Sequence, residues 1–314
     1  MKRNEQGMEE KTVAKNDHQE RGEEITEDRN PDSEDLDCLS AREIVELMNQ
    51  EDKKVAEAVA EVKSELAELI TEITAKMEEG GRLFYVGAGT SGRLGVIDAV
   101  ECGPTFSIEP NKVIGILAGG EEAFFQAREG LEDDFESGAA RLKEENLQPQ
   151  DVVVGIAASG RTPYVLGALT AAREEGALTA ALVCTLNSKL AQIADYQLEV
   201  IVGPEVLTGS TRLKAGTAQK MVLNMISTTV MVKLGKAYSN LMVDLKATNN
   251  KLKERALKIF QEISAISTER AEKLLKKADY NLKEAVVMFE RECDFQQAQK
   301  LLQQKDNNLR EIIG

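Results

Sequence analysis

Histidine is almost missing from this 314-residue chain: His18 is the only one, and it sits in a polar, charged N-terminal stretch. That scarcity all but excludes Ser-His-Asp and Cys-His catalysis, His-rich metal sites and a histidine general base. Acid–base chemistry is left to carboxylates, Lys, Tyr, Cys or the substrate itself. Tryptophan is absent, and aromatic residues make up 4% of the chain. The four cysteines, Cys38, Cys102, Cys184 and Cys293, are far apart and form no C-x-x-C, which argues against a zinc ribbon or redox pair. Positive charge is also short, with 39 Lys and Arg against 54 Asp and Glu, a net −15. Nucleic acid and anionic membrane surfaces demand basic patches, so neither is an expected partner. A small anion stays compatible with this balance, because a few backbone N–H groups hold one phosphate. There is no apolar run of membrane-spanning length and no secretory h-region. The expectation is a soluble, cytoplasmic protein.

What is present is a chain that is 42% hydrophobic, enough for a substantial core. Residues 1–24 are polar and charged and are expected to be disordered. Ser40 followed by Glu43 is a capping-box pattern and predicts a helix start. From Val55 to Met77, apolar residues recur every three or four positions (Val55, Val59, Val62, Leu66, Leu69, Ile70, Ile73, Met77). This predicts one long amphipathic helix, stopped by Gly80-Gly81. Short apolar runs then alternate with helical segments. Strands are predicted at 82–86, 112–117, 151–156, 179–184 and 197–202. Helices are predicted at 92–101, 121–130, 163–175, 188–194 and 215–235. That alternation implies an α/β fold: a doubly wound, mostly parallel five-stranded sheet covered on both faces. Beyond about residue 250 the strands cease, and four short helices are expected. Three segments result: a tail at 1–24, an α/β unit at 25–250 and an all-helical unit at 251–314 whose apolar positions are core.

The stretch RLFYVGAGTSGRLGVIDAVEC, residues 82–102, contains Gly87-x-Gly89-x-x-Gly92 after a strand and at the start of a helix. A dinucleotide site would also need an acidic residue at the tip of the next strand. That strand ends in GILAGG, without one, so a nicotinamide dehydrogenase is disfavoured. A second stretch, VVVGIAASGRTPYV (152–165), repeats the design of LFYVGAGTSGRLGV (83–96). Both run strand, short loop, Ser-Gly-Arg, helix. Loops at the carboxyl ends of parallel strands meet at the ligand crevice, and hydroxyl and N–H donors at helix starts favour a phosphate monoester. The candidate phosphate residues are Gly89, Thr90, Ser91 and Arg93 in the first loop and Ser159, Gly160, Arg161 and Thr162 in the second. In a third loop (203–220), Ser210, Thr211 and Lys214 either complete a sugar site or cap the helix that follows.

These loops resemble those of sugar isomerase (SIS) domains, which are phosphosugar-binding α/β modules. The longer strings YVGAGTSGRLGVIDAVECGPTF, GPEVLTGSTRLKAGTAQKMVLNMIST and GKAYSNLMVDLKATNNKL resemble the N-acetylmuramic acid 6-phosphate etherases, and ITEDRNPDSEDLDCLS resembles that family's N-terminal segment. The resemblance runs from about Ile25 to the C-terminus. It implies a lyase that releases D-lactate from N-acetylmuramic acid 6-phosphate in cell-wall amino-sugar recycling, as a homodimer, with no metal or other cofactor. It carries the catalytic roles onto Glu101 and Glu132, with Glu101 a partly buried acid for lactate departure. Thr90, Ser91, Ser159 and Thr162 inherit the phosphate contacts. Where many such domains have Ser and Gln, the second loop has Ala157 and Ala158. A non-catalytic phosphosugar-binding regulator is the alternative, and the pair of glutamates weighs against it.

Overall fold

Ser40 caps the first long helix as its local sequence predicts. Its hydroxyl accepts from the Glu43 N–H at 3.4 Å, and the Glu43 carboxylate accepts from the Ser40 N–H at 2.8 Å. The computed structural model describes residues 25–314 apart from Ala127, Lys246 and Thr248; the tail expected to be disordered, 1–24, lies outside the described residues. The helix so started is α1 (Ala41–Glu61), and α2 (Lys63–Glu78) follows it. One continuous helix was expected across Val62. Instead the Val62 N–H bonds the carbonyl three residues back, on Val59, and tightens the turn there. The break lets the two halves diverge: both pack on the later helix α8 (Lys214–Lys233), but only α2 continues onto the edge of the sheet. The apolar stripe runs through the break, and Val55, Val59, Leu66, Leu69, Ile73 and Met77 are all buried.

Five parallel strands form the sheet: β1 (Leu83–Gly87), β2 (Val113–Leu117), β3 (Val152–Ile156), β4 (Leu178–Val183) and β5 (Tyr196–Glu199). Their spatial order is β2-β1-β3-β4-β5. Registers such as Val86 opposite both Ile116 and Gly155 align the carboxyl ends of β2, β1 and β3. β5 stops at Glu199 rather than 202, although Val200 still donates to Val183. Helices α3 (Gly89–Phe106), α4 (Gly120–Phe125), α5 (Phe135–Glu144), α6 (Pro163–Glu174) and α7 (Lys189–Ile193) connect the strands. One face of the sheet packs against α1, α2, α3 and α8 through Tyr85, Val154 and Leu182. The other packs against α5, α6 and α7 through Phe84, Val86 and Val153.

Two expectations are corrected here. The helix expected at 121–130 ends at Phe125, because the Arg93 guanidinium takes the carbonyls of Ala123 and Phe124 and satisfies the helix end. Helix α5 was not expected at all: it buries only Gly138 and Leu142, too few apolar positions to show a period.

After α8 the chain forms a two-stranded antiparallel ribbon, β6 (Ala237–Tyr238) with β7 (Leu241–Met242). Five helices follow rather than four: α9 (Asn250–Ser264), α10 (Thr268–Lys277), α11 (Leu282–Glu290), α12 (Phe295–Gln303) and α13 (Leu309–Ile313). They share a separate core that includes Val243, Leu245, Phe260, Val286 and Leu302. No helix among the described residues is long and apolar enough to cross a membrane.

Candidate active site

In the order 2-1-3-4-5 the chain reverses direction between β1 and β3, and ligands of open α/β sheets bind outside the carboxyl ends at that point. A cleft of about 390 Å³ lies there. Its floor is Leu117, Ala118, Ile156, Ala157 and Ala158 from the ends of β2 and β3. Its walls are the first loop (Gly89, Thr90, Ser91, Arg93), the second loop (Ser159, Arg161, Thr162), Gly209 and Thr211 of the third, Arg128, Glu129 and Glu132 before α5, and Glu27.

The first loop is as short as a strand-to-helix turn can be. β1 ends at Gly87, Ala88 is extended, and α3 begins at Gly89. A side chain on Gly92 would meet the Gly87 carbonyl oxygen at 2.4 Å and Leu117 at 2.6 Å, so only glycine permits this turn. No side chain caps α3, and its first N–H groups carry the positive end of an 18-residue helix. Helix α6 likewise starts after Thr162 without a side-chain cap. Gly160 shapes the second loop. Its φ is +61°, and a Cβ there would lie 2.3 Å from Ser188 Oγ. Two uncapped helix starts therefore face one cleft, an arrangement suited to a phosphate.

The third loop is built differently. The buried Glu205 carboxylate accepts from the N–H groups of Lys214 and Ala215, both at 3.0 Å, and so caps α8. The Lys214 ammonium points away from the cleft into a buried ion pair, 2.6 Å from Glu51 Oε2. Asn30 Nδ2 donates to the same oxygen at 3.0 Å, and Lys54 bonds the other. Burial alone would push the Glu51 carboxyl up. Hydrogen bonds from Lys214 and Lys54, the Lys214 charge and the Asn30 contact outweigh it and hold the group below its ordinary value. Lys214 is thus not among the cleft residues, and neither is Ser210, whose N–H and carbonyl close a tight turn with Leu207 and Leu213. Of the three third-loop candidates, only Thr211 lines the cleft. Arg93 lines it too, but spends its Nε and one terminal nitrogen on carbonyls of α4.

The acidic run 129–136 is sorted by its neighbours. Asp134 caps α5: it accepts from the Ser137 hydroxyl at 2.6 Å and N–H at 3.0 Å, which lowers its carboxyl. Glu122, further back, pairs with Arg128. Glu132 lies half-buried in a single 3₁₀ turn, Leu131–Asp133, and faces the cleft beside Glu129. Leu131 anchors that turn by packing into the core on the α5–α6 face.

Glu101 is elsewhere. It is the thirteenth residue of α3, about 18 Å along the helix from Gly89 at about 1.5 Å per residue. Its side chain is exposed, so the expectation of a partly buried carboxyl is not met. Ile97, one turn earlier on the same side, and Val100, the residue next to it in the chain, are exposed as well. The buried side of this turn holds Asp98 and Cys102. Asp98 pairs with Lys220 at 3.3 Å. Sequence reasoning also passed over Glu27, Arg128 and Glu129, which carry no local pattern that separates them from surface charges.

Family models match along most of this architecture: the glucokinase regulatory protein N-terminal SIS domain at residues 65–173, the SIS domain at 135–229, and the C-terminal lid domain of glucokinase regulatory protein at 239–285. The N-acetylmuramic acid 6-phosphate etherase of Bacillus subtilis is 52% identical over 272 residues, covering 87% of this chain and 90% of that one. That of Halalkalibacterium halodurans is 54% identical over 272 residues, with 87% and 91% covered. The chain belongs to the N-acetylmuramic acid 6-phosphate etherase family. A relative named N-acetylmuramic acid 6-phosphate etherase 2, from Vibrio cholerae, is 52% identical over 273 residues, 87% of this chain and 89% of its own. Among solved structures, a phosphoheptose isomerase from Francisella tularensis superposes with a TM-score of 0.50 at 16% identity, covering 62% of this chain and all of that one. That likeness is one of fold.

Proposed function

We propose that this etherase-family chain is a carbon–oxygen lyase that converts N-acetylmuramic acid 6-phosphate and water to N-acetylglucosamine 6-phosphate and D-lactate, in the cytoplasm. The observation that carries the reading is the pair of uncapped helix starts facing one cleft, with the Glu132 carboxylate on its rim. In this reading the 6-phosphate is bound by Thr90, Ser91, Ser159 and Thr162 and by N–H groups around Gly89 and Gly160, with Thr211 closing the third side. Arg161 adds positive charge at the same rim. Arg93 acts by holding α4 against the loop.

The lactyl ether sits at C3, which is β to the C1 aldehyde of the open-chain sugar. Removal of the acidic C2 proton forms the C2–C3 double bond as the C3–O bond breaks, and lactate leaves with a proton. Water then adds at C3 and C2 is reprotonated. The sequence demands a base at C2 and an acid at the departing oxygen, and two carboxylates in different environments meet it. Glu132 is one. Glu101 lies too far along α3 to serve its own cleft, so we assign it to the cleft of a second copy. The exposed Ile97 and Val100 beside it support a homodimeric contact on that face.

We further take the chain to be organised as an N-terminal tail, a phosphosugar-binding unit and a helical C-terminal unit. The membership of Val243 and Leu245 in the core of the helical unit supports a start for that unit before residue 243. Incubation with N-acetylmuramic acid 6-phosphate in deuterated water tests the reading. Lactate release with deuterium at C2 is expected. Tight phosphosugar binding by folded protein without lactate would refute it in favour of a regulator.

A further inference from the structure

The segment Ile25–Asn30 brings to the cleft a carboxylate that neither phosphate binding nor the two assigned glutamates employ. Ile25 and Thr26 are buried, Asn30 is buried, and Glu27, Asp28 and Arg29 between them are exposed. The segment is a strap, buried at its Ile25–Thr26 end and hydrogen-bonded at its Asn30 end. At one end, Asn30 Nδ2 donates to Glu51 Oε2 at 3.0 Å and to the Pro204 carbonyl at 3.2 Å, and its Oδ1 accepts from the Asp32 N–H at 2.9 Å. The Glu51–Lys214 pair extends that anchor to the start of α8. Of the three exposed residues, Glu27 is the one that lines the cleft, and it does so at Gly209. A Cβ on Gly209 would lie 3.1 Å from Glu27 Oε2, and the φ of +76° there is one that glycine adopts without strain.

The strap and the Glu132 turn enter from opposite faces of the sheet. The strap is tied to α1, whose Val55 and Val59 belong to the core under α3 and α8. Leu131, beside Glu132, belongs to the core under α5 and α6. The phosphate loops lie between them. A carboxylate accepts hydrogen bonds and repels a phosphate dianion, so it complements the neutral O–H and N–H groups of a ligand.

We propose that Glu27 is a substrate-binding residue that accepts hydrogen bonds from hydroxyl and acetamido N–H groups of the sugar, and that with Gly209 it selects an amino-sugar phosphate over phosphate alone. The proposal rests on the etherase reading for its substrate, but its test does not need turnover. Calorimetric titration of the full chain and of Glu27→Gln compares N-acetylglucosamine 6-phosphate with inorganic phosphate. The variant is expected to bind the sugar phosphate about tenfold more weakly, as loss of a charge-assisted hydrogen bond implies, and inorganic phosphate within about twofold of wild type. In the lactate assay KM rises by a similar factor with kcat little changed, and Glu27→Asp recovers part of the loss.

Equal binding of the sugar phosphate by wild type and Glu27→Gln overturns the proposal. So does equal loss of both ligands, which marks a structural role, or a fall in kcat alone, which marks proton transfer. If Glu27→Gln fails to fold, Gly209→Ala crowds the same carboxylate without removing it. It carries the same selective loss, and an unchanged affinity overturns the proposal. Wild-type protein whose sugar-phosphate binding depends on Glu27 but which releases no lactate refutes the etherase reading and leaves Glu27 standing. Wild-type protein that binds neither ligand overturns both.

Discussion

Lys214→Met should destabilise the protein without touching its ligand. The Lys214 and Glu51 side chains are each 2% exposed and 2.6 Å apart. Breaking a buried ion pair by removing one partner costs about 3–5 kcal/mol, because the remaining charge is left without compensation. Here Glu51 keeps Asn30 and the half-exposed Lys54, so the loss falls at the lower end, about 3 kcal/mol. At roughly 2–4 °C per kcal/mol for a chain of this class, the midpoint falls by roughly 6–12 °C. Glu51→Gln orphans the ammonium instead and belongs at the upper end, about 5 kcal/mol. The pH dependence follows from the lowered Glu51 carboxyl. A group whose folded value lies below its unfolded one stabilises above the unfolded value, near 4.3, and loses that contribution as pH falls through the folded value. Wild type therefore loses stability on acidification below about pH 4.3, and Lys214→Met loses less. Urea denaturation at pH 7 and pH 4 measures both effects. A Lys214→Met protein of wild-type stability that no longer binds phosphosugar would refute the reasoning and return Lys214 to the phosphate site.

Three further outcomes follow from the same contacts. Burial pushes the Cys102 and Cys184 thiols up to about 12, helped by the negative charges of Asp98 and Glu205 respectively. At pH 8 a disulfide reagent should therefore label the exposed Cys38 and reach those two only after denaturation; rapid labelling of all four in native protein contradicts this packing. Asp151 is buried, accepts from the N–H groups of Arg82 at 2.8 Å and Gln148 at 2.9 Å, and pairs with the Arg82 guanidinium at 2.6 Å. Asp151→Ala should cost about 3 kcal/mol in chemical denaturation, since it frees two N–H donors and a partly buried cation together. Finally, Glu101→Ala and Glu132→Gln are each expected to be inactive, and co-refolding them in equal amounts should restore about a quarter of wild-type activity if each cleft of a two-fold dimer borrows Glu101 from the other copy. No recovery would mean that Glu101 does not act across the interface.

The parts of this molecule that follow a period were legible in the sequence. All five strands stand within a residue of their expected starts, because doubly buried parallel strands are near-continuous apolar runs. The Ser40 cap and the two Ser-Gly-Arg loops were equally plain, since glycine and hydroxyl residues at a strand end have few other uses. Helix α5 was missed because it presents one leucine and one glycine to the core. For Lys214 the sequence leaves open a sugar contact or a helix cap, because a lysine beside Ser and Thr is indistinguishable by sequence from one paired with a glutamate 163 positions away. Glu101 comes from the family resemblance as a partly buried acid, whereas its place is exposed and about 18 Å along α3 from Gly89. Counting the turns separates it from the cleft of its own chain. Glu27 had no signal of its own: the strap is recognised by what holds its Asn30 end, and those partners, Glu51 and Pro204, are remote in the chain.

The most direct test of the cleft as the reaction site is Glu132→Gln, measured by lactate release and by N-acetylglucosamine 6-phosphate binding on the same preparation. Loss of a general acid–base group predicts a fall in kcat of about 10²–10⁴-fold, with sugar-phosphate affinity within about threefold of wild type. A variant that releases lactate at the wild-type rate would contradict the account.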